Sequence, residues 1–451
     1  MNTFQRRVKF VTLGCRLNQY ETQAIREQFV QAGFEETQSD LKANIFVLNT
    51  CTVTSESDRQ SRYLIRRFHR ENPQAKIIVT GCYVERDEST IQAIPGVTLT
   101  ILNRQKSEIL NLLESCTSFS FPMPALPSKR TYTPLSVSQF EGRTRAYVKI
   151  QDGCNHACAF CKVVLVRGPA RSRALQDAVD EAKRLADQGF QEVVLTGIQL
   201  GSYGFDFGKR QMLCDLLERL SGISNLKRIR LSSIEPTDVT DELIQAIASM
   251  EKVCPHLHIP LQSGDDQVLE RMNRRYRSGF YLDLVRKIKE RVAHFVLTTD
   301  VMVGFPGESV HQFDQTVHLL LEAEPYKLHL FPYSTREGTR AAKFQSLVDG
   351  REIERRREVL LLLEEKLRRQ VQESFLGGAM DILVEGDQTE DGWASGRAAN
   401  YLQVHFPVQE KKVGSLFKVQ IERIAENKLV GSLLNQEERI KYDFSSCACA
   451  N

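Results

Sequence analysis

The stretch CNHACAFC places three thiols, Cys154, Cys158 and Cys161, in a C-x3-C-x2-C array. Iron–sulfur and zinc sites in proteins usually have four protein ligands, and this array supplies three. A four-iron cluster held by three thiolates keeps one iron without a protein ligand, and that iron can bind a substrate or cofactor. The spacing favours such an open cluster, because zinc modules rarely use it and no second C-x2-C pair follows. A zinc site completed by His156 or a distant ligand, or a group of redox thiols, are the alternatives.

A second set of three cysteines is dispersed in the sequence but shares one structural context. Cys15, Cys51 and Cys82 each follow a β-branched run of strand length. Taken singly, each could be a small buried hydrophobic residue. However, parallel strands bring their carboxyl ends to one edge of a sheet, where ligands bind. The three thiols are therefore predicted to converge on one metal centre.

Composition and charge limit the compartment and the class of protein. The chain has 451 residues, 11 cysteines and a formal net charge of only +3, so overall charge does not argue for a nucleic-acid partner. It has no apolar run of membrane-spanning length, and its first residues do not resemble a secretion signal. We therefore expect a cytoplasmic protein without a membrane partner, in which cysteines stay reduced and clustered thiols are metal ligands.

The amino-terminal part alternates strand-like and helix-like segments. The strand candidates are VKFVTLGC, NIFVLNTC, KIIVTGC and VTLTIL. This alternation predicts an α/β domain with a doubly wound parallel sheet over residues 1–117. A segment rich in Ser, Pro and Thr then predicts a linker over residues 118–139.

Six further strand candidates alternate with helices in the middle of the chain. They are RAYVKIQ, EVVLTG, RIRLSS, HLHIPLQ, FVLTTDVMVG and KLHLFPYS. A closed (β/α) barrel has eight strands, so six predict a partial (β/α)6 barrel, open on one side, over residues 140–370. The CNHACAFC array follows the first of these strands, where barrel folds keep their chemistry.

The carboxyl-terminal part changes to short strands with frequent turns. After a long charged helix, period-two alternation predicts a small antiparallel β-barrel over residues 374–438. Residues 439–451 are predicted to be a flexible tail. Five cysteines carry no pattern that we interpret: Cys116, Cys214, Cys254, Cys447 and Cys449.

The CNHACAFC motif, with Phe160 before the last thiol, resembles the signature of the radical S-adenosylmethionine (SAM) enzymes. The resemblance implies a six-stranded partial barrel and a [4Fe-4S] cluster whose free iron is chelated by SAM. In that family, one electron from the cluster cleaves SAM and releases a 5′-deoxyadenosyl radical. The missing fourth cysteine is then the functional feature of the motif.

The resemblance extends over most of the chain to the methylthiotransferase group. VTLGCRLNQYET, FVLNTCTVT and VTGCYVER resemble its amino-terminal cysteine segments, and the carboxyl-terminal barrel resembles the RNA-binding TRAM domain, which is OB-like. The resemblance implies that Cys15, Cys51 and Cys82 hold a second, auxiliary [4Fe-4S] cluster that holds or delivers sulfur. It also implies an electron donor such as a flavodoxin or ferredoxin, and a sulfur source.

Within this group, TLGCRLNQYET and LTGIQLGSYG are most similar to the branch that modifies N6-threonylcarbamoyladenosine at position 37 of tRNA. Other members of the group modify isopentenyladenosine at the same position or an aspartate of a ribosomal protein. A non-catalytic iron–sulfur sensor or RNA-binding protein is the remaining alternative, although a sensor has no evident need for a SAM pocket.

Loops after the barrel strands supply candidate contacts for SAM and RNA. We predict cofactor contacts at Phe160, Gly197, Ser233, Glu235, Gln262, Ser263, Asp300 and Gly304. Turn formation and helix capping are the alternative roles for these residues. We predict phosphate or substrate contacts at Arg167, Arg171 and Arg173, and RNA contacts at Asn400 and Tyr401. Solvated loop cations and a strand-core tyrosine are the alternatives there.

Overall fold

The computed structural model describes residues 6–115, 131–140, 142–385, 392–408 and 413–434. Cys116, Cys447, Cys449, the predicted tail and most of the predicted linker lie outside these ranges. The fold class predicted from the sequence is confirmed, with one correction in the carboxyl-terminal barrel. The exact domain boundaries stay a prediction.

The amino-terminal sheet has five parallel strands in the order β2-β1-β3-β4-β5. Its strands are β1 (Arg7–Thr12), β2 (Glu35–Glu36), β3 (Ile45–Thr50), β4 (Lys76–Gly81) and β5 (Val97–Ile101). Its helices are α1 (Arg16–Gln31), α2 (Ser55–Glu71), α3 (Cys82–Arg86), α4 (Glu88–Gln92) and α5 (Ile109–Ser115). Successive residues of a strand point to opposite faces. On β3, Phe46 therefore packs with Phe68 of α2, whereas Val47 packs with the α1 and α5 side of the sheet.

The middle of the chain forms two three-stranded parallel sheets, β10-β9-β6 and β11-β12-β13. The strands are β6 (Ala146–Lys149), β7 (Gln151–Asp152), β8 (Arg171–Ser172), β9 (Glu192–Thr196), β10 (Arg228–Leu231), β11 (His256–His258), β12 (Val296–Val303) and β13 (Lys327–Pro332). Parallel bridges from Ile229 to Val253 and from Ser233 to His258 join the two sheets. The result is the predicted order of six strands, β6-β9-β10-β11-β12-β13, curved around one core.

Helices cover the outside of this partial barrel. They are α6 (Val163–Arg167), α7 (Leu175–Asp187), α8 (Met212–Ser221), α9 (Asp241–Ser249), α10 (Asp266–Arg271), α11 (Ser278–Arg291), α12 (Val310–Ala323) and α13 (Gly350–Glu373). Helix α13 is the long charged helix, and it buries Leu360 and Leu367 against the same core. Across the chain that the structure describes, no helix combines the length and apolar character needed to cross a lipid bilayer.

The carboxyl-terminal barrel is closed, in the order β14-β15-β16-β18-β17. Its strands are β14 (Ala379–Val384), β15 (Trp393–Ala398), β16 (Gln403–Pro407), β17 (Leu416–Ala425) and β18 (Lys428–Leu433). The prediction of an antiparallel barrel is wrong for one pair, since β16 and β18 are parallel. Strand β17 pairs with both β14 and β18, so β18 must run beside β16 in the same direction to close the ring.

Candidate active site: two groups of three cysteines

The loop that carries Cys154, Cys158 and Cys161 leaves the barrel directly after β7 and ends at α6. Gly153 begins the loop with φ +73°, and a Cβ atom there would lie 2.0 Å from the carbonyl oxygen of Pro169. Only glycine tolerates both this backbone conformation and this close approach. We name Cys154, Cys158 and Cys161 the barrel trio.

Cys15, Cys51 and Cys82, which we name the amino-terminal trio, come from the carboxyl ends of three adjacent strands. Pairing of β1 with β3 and of β3 with β4 aligns those ends. Gly14, with φ +93°, lies so close to Cys51 that a Cβ atom would be 2.8 Å from its Sγ atom. The structure therefore brings these three thiols to one edge of the sheet, as the sequence predicted.

The two trios meet at one cavity of about 250 Å³. All three residues of the amino-terminal trio line it, and Cys161 of the barrel trio lines it together with Phe160. Among the described residues, no three His, Cys, Asp or Glu side chains are grouped as ligands for a single metal ion.

Backbone amides and two arginines point at the sulfur atoms. The amides of His156 and Val163 donate to Cys154 and Cys161, with N–Sγ distances of 3.3 and 3.4 Å. Val53 does the same for Cys51, at 3.5 Å. Such donors stabilise negative charge on sulfur, as a thiolate ligand requires.

The side-chain donors come from Arg167 and Arg274. Arg274 Nη1 lies 3.3 Å from Cys158 Sγ, and Arg167 Nε lies 3.3 Å from Cys82 Sγ. Arg274 also pairs with Glu235, which connects that predicted residue to the barrel trio indirectly. Sequence analysis did not identify Arg274. The two adjacent arginines of MNRRY were the feature that could have indicated it.

Burial makes at least two of these thiols harder to ionise. Burial raises the pKa of Cys82 to about 11, the Cys15 and Cys51 thiols add to the increase, and Arg167 opposes it. Burial also raises the pKa of Cys161 to about 12, with contributions from Cys158 and Cys154. Binding to iron therefore displaces protons from these groups.

A buried charge network joins the amino-terminal sheet to the barrel behind Cys82. Its members are the carboxylates of Glu21 and Asp152 and the cations of Lys106, Lys149, Arg167 and Arg171. Arg167 Nη1 lies 2.7 Å from Glu21 and 3.2 Å from Asp152, so it bonds to both carboxylates. Four cations face two carboxylates, and the excess positive charge favours an anionic centre at the Cys82 side of the network.

The structure places the three predicted arginines inside the protein. Arg167, Arg171 and Arg173 are each at most 6% exposed. Arg167 and Arg171 bind Asp152, and Arg173 lies 3.0 Å from Glu181. Their charges are therefore paired with internal carboxylates, and Arg167 also joins the two domains through Glu21.

Loss of Arg167 should destabilise the fold. Arg167→Leu leaves two buried carboxylates short of a partner, so we expect the free energy of unfolding to fall by about 3–5 kcal/mol. Urea denaturation measures this change. Arg59→Leu is the matched control, because Arg59 is an exposed arginine paired with Glu56 and its loss should change stability little. Equal midpoints for the two variants would contradict the assigned role of Arg167.

Three predicted cofactor contacts face the cavity. Phe160, Gln262 and Asp300 line it. Gln262 has φ +66°, and its buried Oε1 atom has no hydrogen-bond partner among the described residues. This strained backbone and unpaired acceptor are typical of a residue that awaits a ligand.

Asp300 is oriented by a chain of hydrogen bonds inside the barrel. His258 Nε2 lies 3.0 Å from Asp300 Oδ1, and its Nδ1 atom lies 3.0 Å from Thr298 Oγ1, which also contacts His256 at 3.1 Å. Burial lowers the pKa of His256 well below its usual value, so this imidazole is neutral. Donation from His256 to Thr298, from Thr298 to His258 and from His258 to Asp300 satisfies every bond in the chain.

Other predicted cofactor contacts have packing roles. Gly304 has φ +75° and lies against Ile353 of α13, and Gly197 lies against Gln151. Ser263 is fully buried and bonds Thr316 of α12. Ser233 takes part in the bridge between the two sheets of the barrel. For these residues, the alternative of turn formation and packing describes the structure better.

The predicted RNA contacts of the carboxyl-terminal barrel lie in its seam with the partial barrel. Tyr401 stacks on His256 with ring centroids 4.6 Å apart, and the guanidinium of Arg397 lies 4.4 Å from the same ring. Asn400 is 3% exposed and donates to the carbonyl of His294. Both residues therefore pack in this seam, and RNA contact at Asn400 and Tyr401 stays a prediction.

Comparison with known proteins shows which families and relatives this chain resembles. Residues 148–320 match the radical SAM superfamily, and residues 7–102 match a family described as uncharacterized protein family UPF0004. Threonylcarbamoyladenosine tRNA methylthiotransferase MtaB of Bacillus subtilis (strain 168) is 38% identical, over 92% of this chain and 93% of the relative. The protein of the same name from Chlamydia pneumoniae is 35% identical, over 94% and 98%.

A relative that is named for a different substrate has a lower sequence identity to this chain. The tRNA-2-methylthio-N(6)-dimethylallyladenosine synthase of Acetivibrio thermocellus is 30% identical, over 94% of this chain and 90% of the relative. Among solved structures, the radical S-adenosylmethionine methyltransferase TsrM from Kitasatospora setae aligns with a TM-score of 0.53 and 14% identity, over 73% of this chain and 75% of that chain. That likeness shows a shared fold.

Proposed function

Because the chain belongs to the radical SAM tRNA methylthiotransferase family, we propose that it converts N6-threonylcarbamoyladenosine at position 37 of tRNA to its 2-methylthio derivative. The family establishes a methylthiotransferase that acts on tRNA with iron–sulfur clusters and SAM. The choice of base is the proposal. Relatives named for this nucleoside, at 35–38% identity over more than nine-tenths of the chain, support it over the dimethylallyl alternative.

One structural observation supports the chemistry most strongly: Cys161 and the whole amino-terminal trio line the same cavity. Two open clusters that face one substrate would provide both requirements of the reaction, removal of a hydrogen and supply of sulfur. The C2–H bond of adenine is not acidic enough for a side-chain base, so acid–base catalysis alone cannot replace that hydrogen. A cofactor must supply the reactivity while the protein binds and orients.

The chain's own residues fit both clusters. Cys154, Cys158 and Cys161 would hold one [4Fe-4S] cluster, and Cys15, Cys51 and Cys82 would hold the second. The donors that already point at these sulfurs, the amides and the guanidinium groups of Arg167 and Arg274, suit thiolates better than thiols. When bound, the barrel cluster supplies the electron that cleaves SAM, a step that the family uses to generate a substrate radical.

The cavity residues would then orient SAM and the base. Asp300, fixed by His258, presents a carboxylate that can accept hydrogen bonds from amino or hydroxyl groups of SAM. Gln262 offers an unpaired acceptor beside it. Phe160 and Met302 add apolar surface that excludes water from the reacting atoms. Position 37 lies in a single-stranded loop, so its base can leave the stack and enter the cavity without opening a duplex.

Four further parts of the proposal concern the partners, the methyl donor and the location. A one-electron donor such as a flavodoxin or ferredoxin would reduce the barrel cluster, and a separate sulfur source would replenish the auxiliary cluster. A second SAM molecule would supply the methyl group. The cytoplasm, where tRNA is modified and cysteines stay reduced, is the location that fits these partners.

Nucleoside analysis of tRNA tests the proposed substrate. In a strain without the gene, mass spectrometry should find N6-threonylcarbamoyladenosine but none of its 2-methylthio derivative, and the wild-type gene should restore the derivative. A control strain that expresses Cys214→Ala should also restore it, because Cys214 packs against the barrel core away from the cavity. Loss of the 2-methylthio isopentenyl nucleoside instead would contradict the proposed substrate.

A further inference from the structure

Lys162 is a cation that lines the cavity, and no described residue pairs with it. It follows Cys161, is 7% exposed, and lines the cavity between the two trios. Its ammonium forms no ion pair or hydrogen bond with any residue that the structure describes. An ammonium that faces a cavity without a protein anion beside it is available to an anionic ligand.

The other cations that line the cavity are already paired. Arg167 is held by Glu21 and Asp152. Arg336 lies 2.6 Å from Asp58 and 2.7 Å from the carbonyl oxygen of Thr52. Lys162 therefore differs from its neighbours in having no internal anion.

The surroundings of Lys162 have more positive than negative charge. Asp58 Oδ2 is shared by Arg336 and Arg86, each at 2.6 Å, so one carboxylate compensates two guanidinium groups. Glu337 contacts Arg86 at 3.5 Å but is 90% exposed, and solvent screens it. This wall of the cavity is thus prepared for an anion.

Unpaired hydrogen-bonding groups accompany the unpaired charge. Arg336 Nε and the Tyr333 hydroxyl line the cavity, are buried and have no partner among the described residues, as is also true of Gln262 Oε1. These groups offer two donors and one acceptor in the same cavity as Lys162. A ligand with a carboxylate and several polar atoms would form hydrogen bonds with these groups. An apolar ligand would leave them without partners, which is unfavourable in free energy.

From these observations we propose that Lys162 binds the carboxylate of the threonylcarbamoyl group and so selects this substrate over a base with an uncharged N6 substituent. The inference rests on the proposed function and gives it a physical basis. The threonylcarbamoyl group carries a carboxylate, a hydroxyl and a urea linkage, which match the ammonium and the unpaired polar atoms. The isopentenyl group carries none of these. Sites built to bind polar groups reject analogues without them more strongly than apolar sites reject polar ones.

RNA binding tests this assignment separately from catalysis. Three anticodon stem–loop RNAs would be compared that carry, at position 37, threonylcarbamoyladenosine, its uncharged methyl ester, or isopentenyladenosine. Fluorescence anisotropy would measure their affinity for the anaerobically purified, cluster-loaded protein without SAM. Omission of SAM separates a contact to substrate from a contact to the SAM carboxylate.

For Lys162→Met we expect binding of the charged RNA to weaken about tenfold to a hundredfold, the effect of losing a hydrogen bond to a charged group. Binding of the methyl ester and isopentenyl RNAs should change by less than about twofold, because neither presents an anion to Lys162. Lys162→Arg should retain most of the discrimination, since it keeps the charge. Lys343→Met is the matched control, an exposed lysine on the same barrel whose loss should not discriminate among the three RNAs.

Two results would overturn the assignment of Lys162. Equal weakening of all three RNAs would mean a phosphate contact or a disturbed fold, and unchanged binding of the charged RNA would mean a role toward the cofactor. Failure of the proposed function looks different: the wild-type protein would then show no preference for the threonylcarbamoyl RNA over the isopentenyl RNA in either binding or methylthiolation.

Discussion

Replacing Cys154, Cys158 or Cys161 with alanine is expected to abolish the formation of 5′-deoxyadenosine from SAM. The three thiols lie on one loop after β7, and we propose them as the ligands of the barrel cluster. Loss of one leaves two, too few to retain a cluster with a single open iron. The fall should exceed the ~10–100-fold effect typical of losing an outer-shell partner of a metal site.

Chromatography of anaerobic reactions with SAM and a chemical reductant measures this result. Cys214→Ala is the control, since Cys214 lies on α8 against the barrel core. If a variant of the barrel trio still cleaved SAM at a rate near that of the control, the assignment of these cysteines would have to be abandoned.

Replacing Cys15, Cys51 or Cys82 with alanine should instead separate the two halves of the reaction. These thiols belong to the other side of the cavity and to a different domain, so the barrel cluster should remain and SAM should still be cleaved. Without the auxiliary cluster no sulfur is held beside the base, and formation of the methylthio product should stop. Cys51 and Cys82 are the more informative positions, because both are buried and Cys82 accepts a hydrogen bond from Arg167.

Parallel assays on one preparation distinguish the outcomes. 5′-Deoxyadenosine is quantified by chromatography and the methylthio nucleoside by mass spectrometry of the digested RNA. Methylthio product at the level of the Cys214→Ala control would show that the amino-terminal trio is dispensable. Loss of SAM cleavage together with product would show that the two trios do not have separate roles.

The sequence was sufficient to predict features that depend on local periodicity. Alternating strands and helices predicted both α/β parts, and the cysteines at strand ends predicted that Cys15, Cys51 and Cys82 would converge. These inferences need only the rule that parallel strands end at the same edge. They also survive small errors in element boundaries, because a residue directly after a strand stays at that edge.

Features that depend on contacts between domains could not be predicted from the sequence. In the sequence, Arg167 looks like an ordinary surface cation. Only docking of α1 against the barrel places Glu21 beside it. Tyr401 has the pattern of an exposed aromatic residue, yet docking of the carboxyl-terminal barrel stacks it on His256. Lys162 was overlooked for the same reason, because nothing in the sequence after Cys161 indicates that this side chain lines the cavity.

The most direct test of the account is the iron and acid-labile sulfide content of anaerobically reconstituted protein, combined with Mössbauer spectroscopy. The account predicts two [4Fe-4S] clusters in each chain, about eight irons and eight sulfides, each cluster with one iron that lacks a cysteine ligand. Substitution within either trio should remove one cluster and leave the other. Zinc in place of iron, or a single four-iron cluster per wild-type chain, would contradict it.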